Sequence, residues 1–271
     1  MIDKIWCARK ASTVEKYCQA LRKFFLYCSL NEIKLILPLE SLTVANYLIY
    51  LSKSNGSKGA SNNALAGLKW LHSFIPGLNP SNNPLNDDFI QRISQSENRS
   101  LAKLKDRKKP LSDDIIKGIL KKYLSLKDPS LHQMRDSLVP CLAYALLLRH
   151  DEISHINCSH ITLSDEGLKF FIPSSKTDVY RQGKFVFLAK DNHDLYDLFF
   201  QYLKKSNLNL KMNHFLICPI IYDPRRKSFS LKNAKLSYAV FRDIVKDAVS
   251  ALGFDPDEYG IHSCHSGGAT A

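Results

Sequence analysis

Apolar residues recur every three or four positions along the first third of the chain, the spacing of one buried helix face. Four such stretches predict four helices. A polar stretch at 52–59 separates the second from the third, and prolines between 76 and 84 separate the third from the fourth. The apolar residues that carry this spacing are Val14, Tyr17, Leu21, Phe24, Phe25, Cys28, Val44, Tyr47, Leu48, Leu51, Ala64, Leu65, Leu68, Leu71, Ile75, Phe89, Ile90 and Ile93.

The pattern changes in the second half of the chain. A capped helix is predicted to begin at Ser112, and a longer apolar helix is predicted from about Ser130 to Leu148. Between residues 160 and 190, apolar and polar positions alternate in three short runs, which is the period of β-strands, before helical spacing returns. The predicted fold class is therefore mainly α, with a small antiparallel β-sheet inside the second domain.

A basic segment divides these two patterns. It is poor in apolar residues, contains the single acidic residue Asp106, and ends at Pro110. We predict a helical domain over 10–97, a basic linker over 98–110 and a mixed domain over 111–271. The linker cations either contact DNA phosphates or form a solvated charge run. They are Arg99, Lys103, Lys105, Arg107, Lys108 and Lys109.

The composition favours a nucleic-acid partner. The 271 residues include 38 Lys and Arg against 26 Asp and Glu, a net charge of +12, and such an excess suits a polyanion. The seven cysteines are odd in number and form no CxxC pair, which indicates a reducing compartment. No apolar run is long enough to span a bilayer, and the N-terminus lacks an apolar signal core, so we expect neither a membrane partner nor secretion.

Three polar sites interrupt the apolar framework. Arg149 directly follows an apolar run, and Glu152 stands three residues later. An arginine at the end of a buried helix needs a partner or a bound anion, although a surface Arg149–Glu152 pair is an equally simple interpretation. Lys176 lies between two predicted strands, where a lysine is usually solvated. His262 and His265, three residues apart, share one helix face.

Together these residues resemble the tyrosine recombinases, the site-specific recombinases of the phage integrase type. Leu147–Ile153 resembles the first catalytic-arginine motif, Ser175–Thr177 the hairpin lysine motif, and His262–Thr270 the H-x-x-R box in the form found in eukaryotic mobile elements. The predicted N-terminal helices resemble the family's core-binding domain. The resemblance covers nearly the whole chain, and it implies a core-binding domain and an α+β catalytic domain that close around duplex DNA as a C-shaped clamp.

The resemblance also implies a chemistry. Cleavage in this family passes through a phosphorane with extra negative charge, which two arginines stabilise while a lysine protonates the departing 5′ oxygen. A histidine hydrogen-bonds the phosphate, and a tyrosine attacks to form a 3′-phosphotyrosine. By resemblance, Arg149 is the first arginine, Lys176 the acid, His262 the histidine and Glu152 a supporting residue. The implied partners are double-stranded DNA and further copies of the chain on that DNA, with no metal and no small-molecule cofactor.

Two departures from the family pattern bear on activity. His265 stands where the second arginine is expected. An imidazole lacks the guanidinium fork and, with a reference pKa of about 6.5, is largely neutral at pH 7. Losing one such contact typically costs about 3 kcal/mol, roughly a hundredfold in rate. The chain also ends at Ala271, before the segment that carries the family's nucleophile, and Tyr180 and Tyr259 precede the box. We expect the chain alone neither to nick DNA nor to form a covalent adduct.

Other clusters of polar residues are weaker candidates. His150, His155, Cys158 and His160 crowd one stretch, but their spacing is irregular for zinc, and we predict no metal. Arg225–Lys227 either touches the DNA backbone or is solvated. Gly267 and Gly268 lack the lysine and spacing of a phosphate-binding loop, so we interpret them as sites of close helix packing.

Three functional hypotheses remain open from the sequence. The first is a site-specific recombinase or integrase of a mobile element, here catalytically incomplete. The second is a non-catalytic DNA-binding relic or repurposed copy. The third, from another class, is a helical protein–protein adaptor, which would leave Lys176 and His262 unexplained. A DNA partner places the chain in the nucleus of a eukaryotic host and in the cytoplasm otherwise.

Overall fold

The computed structural model describes residues 9–54, 57–79, 83–101, 107–175, 178, 182–224 and 227–270. The sequence predictions for Lys103, Lys105, Lys176, Arg225 and Arg226 therefore lie outside the described residues. The chain separates into two compact units, Met1–Lys105 and Asp106–Ala271, here called unit 1 and unit 2. In the part of the chain that the structure describes, no helix combines the length and apolarity needed to cross a membrane.

Unit 1 is helical, as its apolar periodicity predicts. Its helices are α1 (Ala11–Leu30), α2 (Ser41–Lys53), α3 (Lys58–His72) and α4 (Asp88–Ser100), and a 3₁₀ turn at Pro84–Asn86 precedes α4.

Two boundaries in unit 1 differ from those predicted. Gly59 lies inside α3 rather than in the loop, because the Ser57 hydroxyl caps the helix by accepting a hydrogen bond from the Ala60 N–H at 3.2 Å. Helix α4 continues to Ser100, three residues into the predicted linker. The Asn98 amide, which donates to the Asn62 side chain of α3 at 2.9 Å, ties that last turn to its neighbour. Arg99 is therefore an exposed helical residue rather than a linker residue.

The core of unit 1 joins all four helices through aliphatic and aromatic side chains. Phe24 of α1 and Tyr47 of α2 are fully buried, and their rings meet edge to face with centroids 5.0 Å apart. Helix α3 approaches α1 closely at Gly67, where an added Cβ would lie 3.3 Å from the Tyr17 carbonyl oxygen. His72 is buried and accepts the Leu39 N–H at 2.9 Å, so it has a structural role.

Unit 2 combines helices with two small antiparallel sheets, which confirms the predicted fold class. In chain order its helices and strands are α5 (Asp113–Leu124), α6 (Leu131–Ala145), the single turn α7 (His150–Ile153), β1 (Ile161–Ser164), β2 (Gly167–Ile172), β3 (Lys184–Ala189), α8 (His193–Ser206), β4 (Ile220–Asp223), β5 (Ser228–Leu231), α9 (Tyr238–Ser250) and α10 (Ile261–Gly268). Short 3₁₀ turns at Cys158–His160 and Pro256–Glu258 precede β1 and α10.

The first sheet has the order β1-β2-β3 and packs one face on the helices. Leu168, Phe170 and Leu188 are buried on this face, and the Phe170 ring meets Phe199 of α8 at 5.9 Å. Phe185 and Phe187, which predicted the third strand, do lie in β3, and their side chains are exposed. The β4–β5 hairpin was not predicted, because its four-residue strands carry no long alternating pattern.

Helix α6 lies at the centre of unit 2, and its end sets the position of Arg149. The helix stops at Ala145 rather than Leu148. Leu147 takes a left-handed conformation, with φ of 53°, and the Leu148 N–H donates to the Ala143 carbonyl at 2.9 Å to close the helix end. This reversal turns the chain so that Arg149 begins a new helical turn.

Candidate functional site

Arg149 and Glu152 form the base of the site. Arg149 is the N-cap of α7, and its backbone N–H donates to Glu152 Oε2 at 2.8 Å. The guanidinium Nη1 lies 3.5 Å from Glu152 Oε1. The Glu152 side chain is 1% exposed and that of Arg149 is 35% exposed. The pair therefore joins a buried carboxylate to a partly exposed guanidinium and is not a surface pair.

Lys184, at the first position of β3, also reaches this carboxylate. Its Nζ lies 3.6 Å from Glu152 Oε1, and its side chain is 44% exposed. Lys184 was not among the residues predicted from the sequence, because its apolar neighbours indicate a strand and a lysine at a strand's beginning has no motif of its own. The signal that could have found it is its position, eight residues after Lys176 on the returning arm of the same predicted hairpin.

Helix α10 carries the two histidines and is fixed to the rest of unit 2 by its backbone. The Leu111 N–H donates to the Ser263 carbonyl at 2.9 Å. A Cβ added to Gly267 would overlap the Leu111 carbonyl oxygen, and one added to Gly268 would overlap that of Tyr144 in α6. These contacts confirm close helix packing as the role of the glycine pair.

The histidines of α10 share the electrostatic environment of Arg149. Burial lowers the pKa of the His265 imidazole, and the Arg149 guanidinium lowers it further. Glu152 opposes this effect, whereas Lys184 and His262 add to the lowering of the His265 pKa. His265 is half-buried and His262 exposed. We name the four side chains Arg149, Lys184, His262 and His265 the cation cluster: the first two lie within 4 Å of the Glu152 carboxylate, and the histidines are linked to them through the pKa of His265.

The hairpin between β2 and β3 borders a small pocket next to Lys184. The pocket has a volume of about 230 Å³ and is lined by Ile172, Ser175, Asp178, Gln182, Gly183 and Lys184. The Asp178 carboxylate accepts the Gln182 N–H at 3.1 Å and the Gly183 N–H at 2.8 Å, so it satisfies the two backbone donors that precede Lys184. Lys176, the predicted acid, lies outside the described residues, so its distance to Arg149 stays a prediction.

The end of the basic segment contacts an acidic turn. Lys109 Nζ lies 2.7 Å from Glu258 Oε2, and this hydrogen bond raises the pKa of Lys109. The Lys108 ammonium donates to the Asp257 carbonyl. Arg107, Lys108 and Lys109 are exposed, so the sequence-predicted DNA contacts are accessible, although two of the three already bind acidic-turn residues.

The histidines and cysteine considered for zinc point to separate partners. His150 Nε2 lies 3.1 Å from the Leu236 carbonyl, and His155 Nε2 lies 2.6 Å from Lys235 Nζ. His160 accepts the Asn157 N–H at 3.2 Å, and Cys158 is fully buried. Among the described residues, no group of three or more His, Cys, Asp or Glu side chains could hold a metal ion.

Unit 1 contains a polar groove between α1, α2 and α3. It has a volume of about 650 Å³. Its rim carries Lys16, Gln19 and Lys23 of α1 and Asn63 of α3, all exposed. We call it the unit 1 groove. The groove was not predicted, because segments of three different helices form it.

No protein-family model matches this chain, and no curated protein matches it. Solved structures do match over nearly its whole length. The XerH site-specific recombinase, in a post-cleavage complex with palindromic difH substrate, aligns with 94% of this chain and 67% of its own, at 18% identity and a TM-score of 0.64.

Two integrases give matches of the same extent. The Tn1549 transposon integrase in complex with transposon right end DNA covers 95% of this chain and 85% of its own, at 11% identity and a TM-score of 0.59. A lambda integrase dimer bound to a COC′ core site covers 96% of this chain and 79% of its own, at 15% identity and a TM-score of 0.53. At these identities the matches establish a shared fold.

Proposed function

Because the chain has the fold of the tyrosine recombinases, we propose that it is a DNA-binding member of that family and that its cation cluster binds one backbone phosphate of a DNA duplex. One observation carries the proposal. Arg149 and Lys184, more than thirty residues apart in sequence, both lie within 4 Å of the buried Glu152 carboxylate, and both lower the pKa of His265 on α10. The solved structures that share the fold include recombinases and integrases in complex with DNA.

The geometry of Arg149 suits phosphate binding. Glu152 holds the guanidinium from below, and the exposed third of the side chain faces solvent with N–H donors for an anion. His262, exposed on α10, can donate a hydrogen bond to the same phosphate. By resemblance, Lys176 would protonate the leaving 5′ oxygen.

With His265 in place of an arginine, the site stabilises a phosphate less strongly than the family's pattern of two arginines would. A neutral imidazole offers one N–H donor, whereas a guanidinium offers a charged fork. Since burial and Arg149 lower the pKa of His265, the ring is neutral at pH 7. We propose that cleavage chemistry is reduced for this reason, which favours the DNA-binding relic over an active recombinase.

A covalent-trapping experiment separates the DNA-binding hypotheses from the adaptor and tests for cleavage. A suicide duplex that captures a phosphotyrosine intermediate would yield an adduct only with an active recombinase, which would contradict our expectation of a catalytically incomplete chain. Retention of the duplex without an adduct is expected for a catalytically incomplete recombinase or a DNA-binding relic, and absence of retention for a protein–protein adaptor.

The unit 1 groove offers a second DNA contact. Its exposed lysines supply positive charge, and its Gln and Asn side chains supply hydrogen-bond donors and acceptors for phosphates or base edges. We propose that the groove binds the duplex independently of the cation cluster.

DNA affinity of Arg149 variants tests the proposal. We expect Arg149→Gln to weaken binding of a fluorescent duplex about tenfold or more, because it removes one charge-assisted contact. The matched control is Arg242→Gln, which removes an exposed arginine of α9 that pairs with its neighbour Asp243. Affinity that does not vary between about 50 and 300 mM salt, or equal losses in both variants, would contradict phosphate binding at this site.

A further inference from the structure

We infer that Lys184 supplies the second positive charge of the phosphate site, at the point where His265 stands in place of an arginine. The inference rests on the proposed function and names a residue that binds the same phosphate as Arg149. It assigns a DNA contact to the first residue of β3, whose neighbours in the strand are apolar.

The position of Lys184 is the first support for this inference. Lys184 Nζ and Arg149 Nη1 lie 3.6 and 3.5 Å from the same atom, Glu152 Oε1. Two cations on one carboxylate oxygen must be neighbours, and both side chains are more than a third exposed. The guanidinium and the ammonium group therefore lie on one part of the protein surface, next to a carboxylate that is itself buried.

The charge of the site is the second support. Arg149 and Glu152 together carry no net charge, so an anion would gain little from Arg149 by itself. Lys184 makes the group of three singly positive, which matches the single negative charge of a phosphodiester. Because burial and the neighbouring cations lower the pKa of His265, its imidazole adds little positive charge at pH 7, and Lys184 provides the charge in excess of the Arg149–Glu152 pair.

The backbone before β3 fixes where Lys184 stands. Lys184 pairs with Ile172 in the β2–β3 register. The preceding Gly183 has φ of +70°, and a Cβ there would lie 2.6 Å from the Phe171 ring, so glycine is required at this turn. The Asp178 carboxylate accepts the Gly183 N–H at 2.8 Å. Lys184 therefore stands at a strand end held by the Ile172 pairing on one side and by the Asp178–Gly183 hydrogen bond on the other.

The salt dependence of duplex binding tests the inference. We expect Lys184→Gln to weaken binding about tenfold and to reduce the slope of log K against log salt by about 0.9, the value for one lost phosphate contact. Lys184→Arg should retain both within about twofold. The control is Lys190→Gln, which removes an exposed lysine one residue after the end of β3 and should leave the slope unchanged.

The titration of His265, followed by NMR, distinguishes a local effect from misfolding. In folded Lys184→Gln protein the pKa of His265 should rise, because Lys184 lowers it in the wild type. Lys190→Gln should not move it. A shifted His265 pKa with a lower salt slope supports the inference. A shifted pKa with the wild-type slope overturns it, since Lys184 would then lie in the site without binding phosphate, and so does an unchanged pKa with an unchanged slope. If the wild-type chain shows no salt-dependent binding, the proposed function itself fails.

Discussion

The two units present polar surfaces of different construction. The unit 1 groove is a gap between three helices, and its exposed lysines project from α1 above an apolar core. The cation cluster of unit 2 is built around Glu152, which is 1% exposed, and on a helix whose glycines touch the backbone of other segments. The side chains of the groove can therefore change without disturbing the core, whereas those of the cation cluster depend on a buried carboxylate.

The two surfaces couple DNA binding to stability in different ways. A substitution on the rim of the groove changes surface charge and little else, since solvent replaces the lost side chain. A substitution beneath the cation cluster removes a buried partner or forces two backbones apart. We therefore expect binding and stability to vary independently in unit 1 and together in unit 2.

Replacing a glycine of α10 should cause the greatest loss of stability. Gly267→Ala would place a Cβ against the Leu111 carbonyl, which belongs to backbone and cannot rotate away. We expect unit 2 to lose about 3 kcal/mol or more, a fall in Tm of roughly 10 °C, as measured by circular dichroism.

The contrasting variants lie in unit 1. Gly59→Ala meets Ser57 Oγ at 3.7 Å, an ordinary contact, and should stabilise α3 by about 0.5 kcal/mol because alanine favours helix. Gly67→Ala, with 3.3 Å to the Tyr17 carbonyl, should fall between the two. A Gly267→Ala protein as stable as the Gly59→Ala protein would show that α10 is not packed as described.

A smaller effect is expected from the buried carboxylate. Glu152→Gln removes the charge that balances Arg149 and Lys184, and we expect it to cost about 2–3 kcal/mol in urea denaturation. The value should be lower than for a fully buried pair, since both cations are partly solvated.

The exposed ion pair of unit 1 gives the comparison for Glu152. Asp88 and Arg92 are 2.7 Å apart on α4, with side chains 73% and 78% exposed. Asp88→Asn should cost less than about 1 kcal/mol, because solvent screens this pair. Equal losses for Glu152→Gln and Asp88→Asn would mean that burial does not distinguish the two units.

The smallest effect is expected from the rim of the groove. Lys23→Gln should leave Tm unchanged and reduce the salt slope of duplex binding by about 0.9 if its ammonium contacts one phosphate. Lys34→Gln, an exposed lysine that does not line the groove, is the control. A loss shared by both variants would indicate general charge attraction rather than binding in the groove.

Much of the fold follows from local patterns. The 3.6-residue spacing of apolar residues predicted the four helices of unit 1, and the period-two run predicted the three-stranded sheet. The Ser112 cap of α5 is confirmed by its bond from the Ile115 N–H at 3.3 Å. Apart from the β4–β5 hairpin, which was not predicted, the errors lie at helix ends. Helix α4 continues into the predicted linker and α6 stops three residues early, because contacts with other helices and a left-handed residue set those limits.

Motif spacing and side-chain chemistry were enough to select Arg149, Glu152, His262 and His265 as candidate site residues, and to assign Gly267 and Gly268 to close packing. Only the folded chain shows that Glu152 is buried and that Lys184 shares its carboxylate with Arg149. Periodicity reports which face of a helix or strand is apolar. Burial and charge pairing depend on segments that meet only when the chain folds, and no local pattern encodes them.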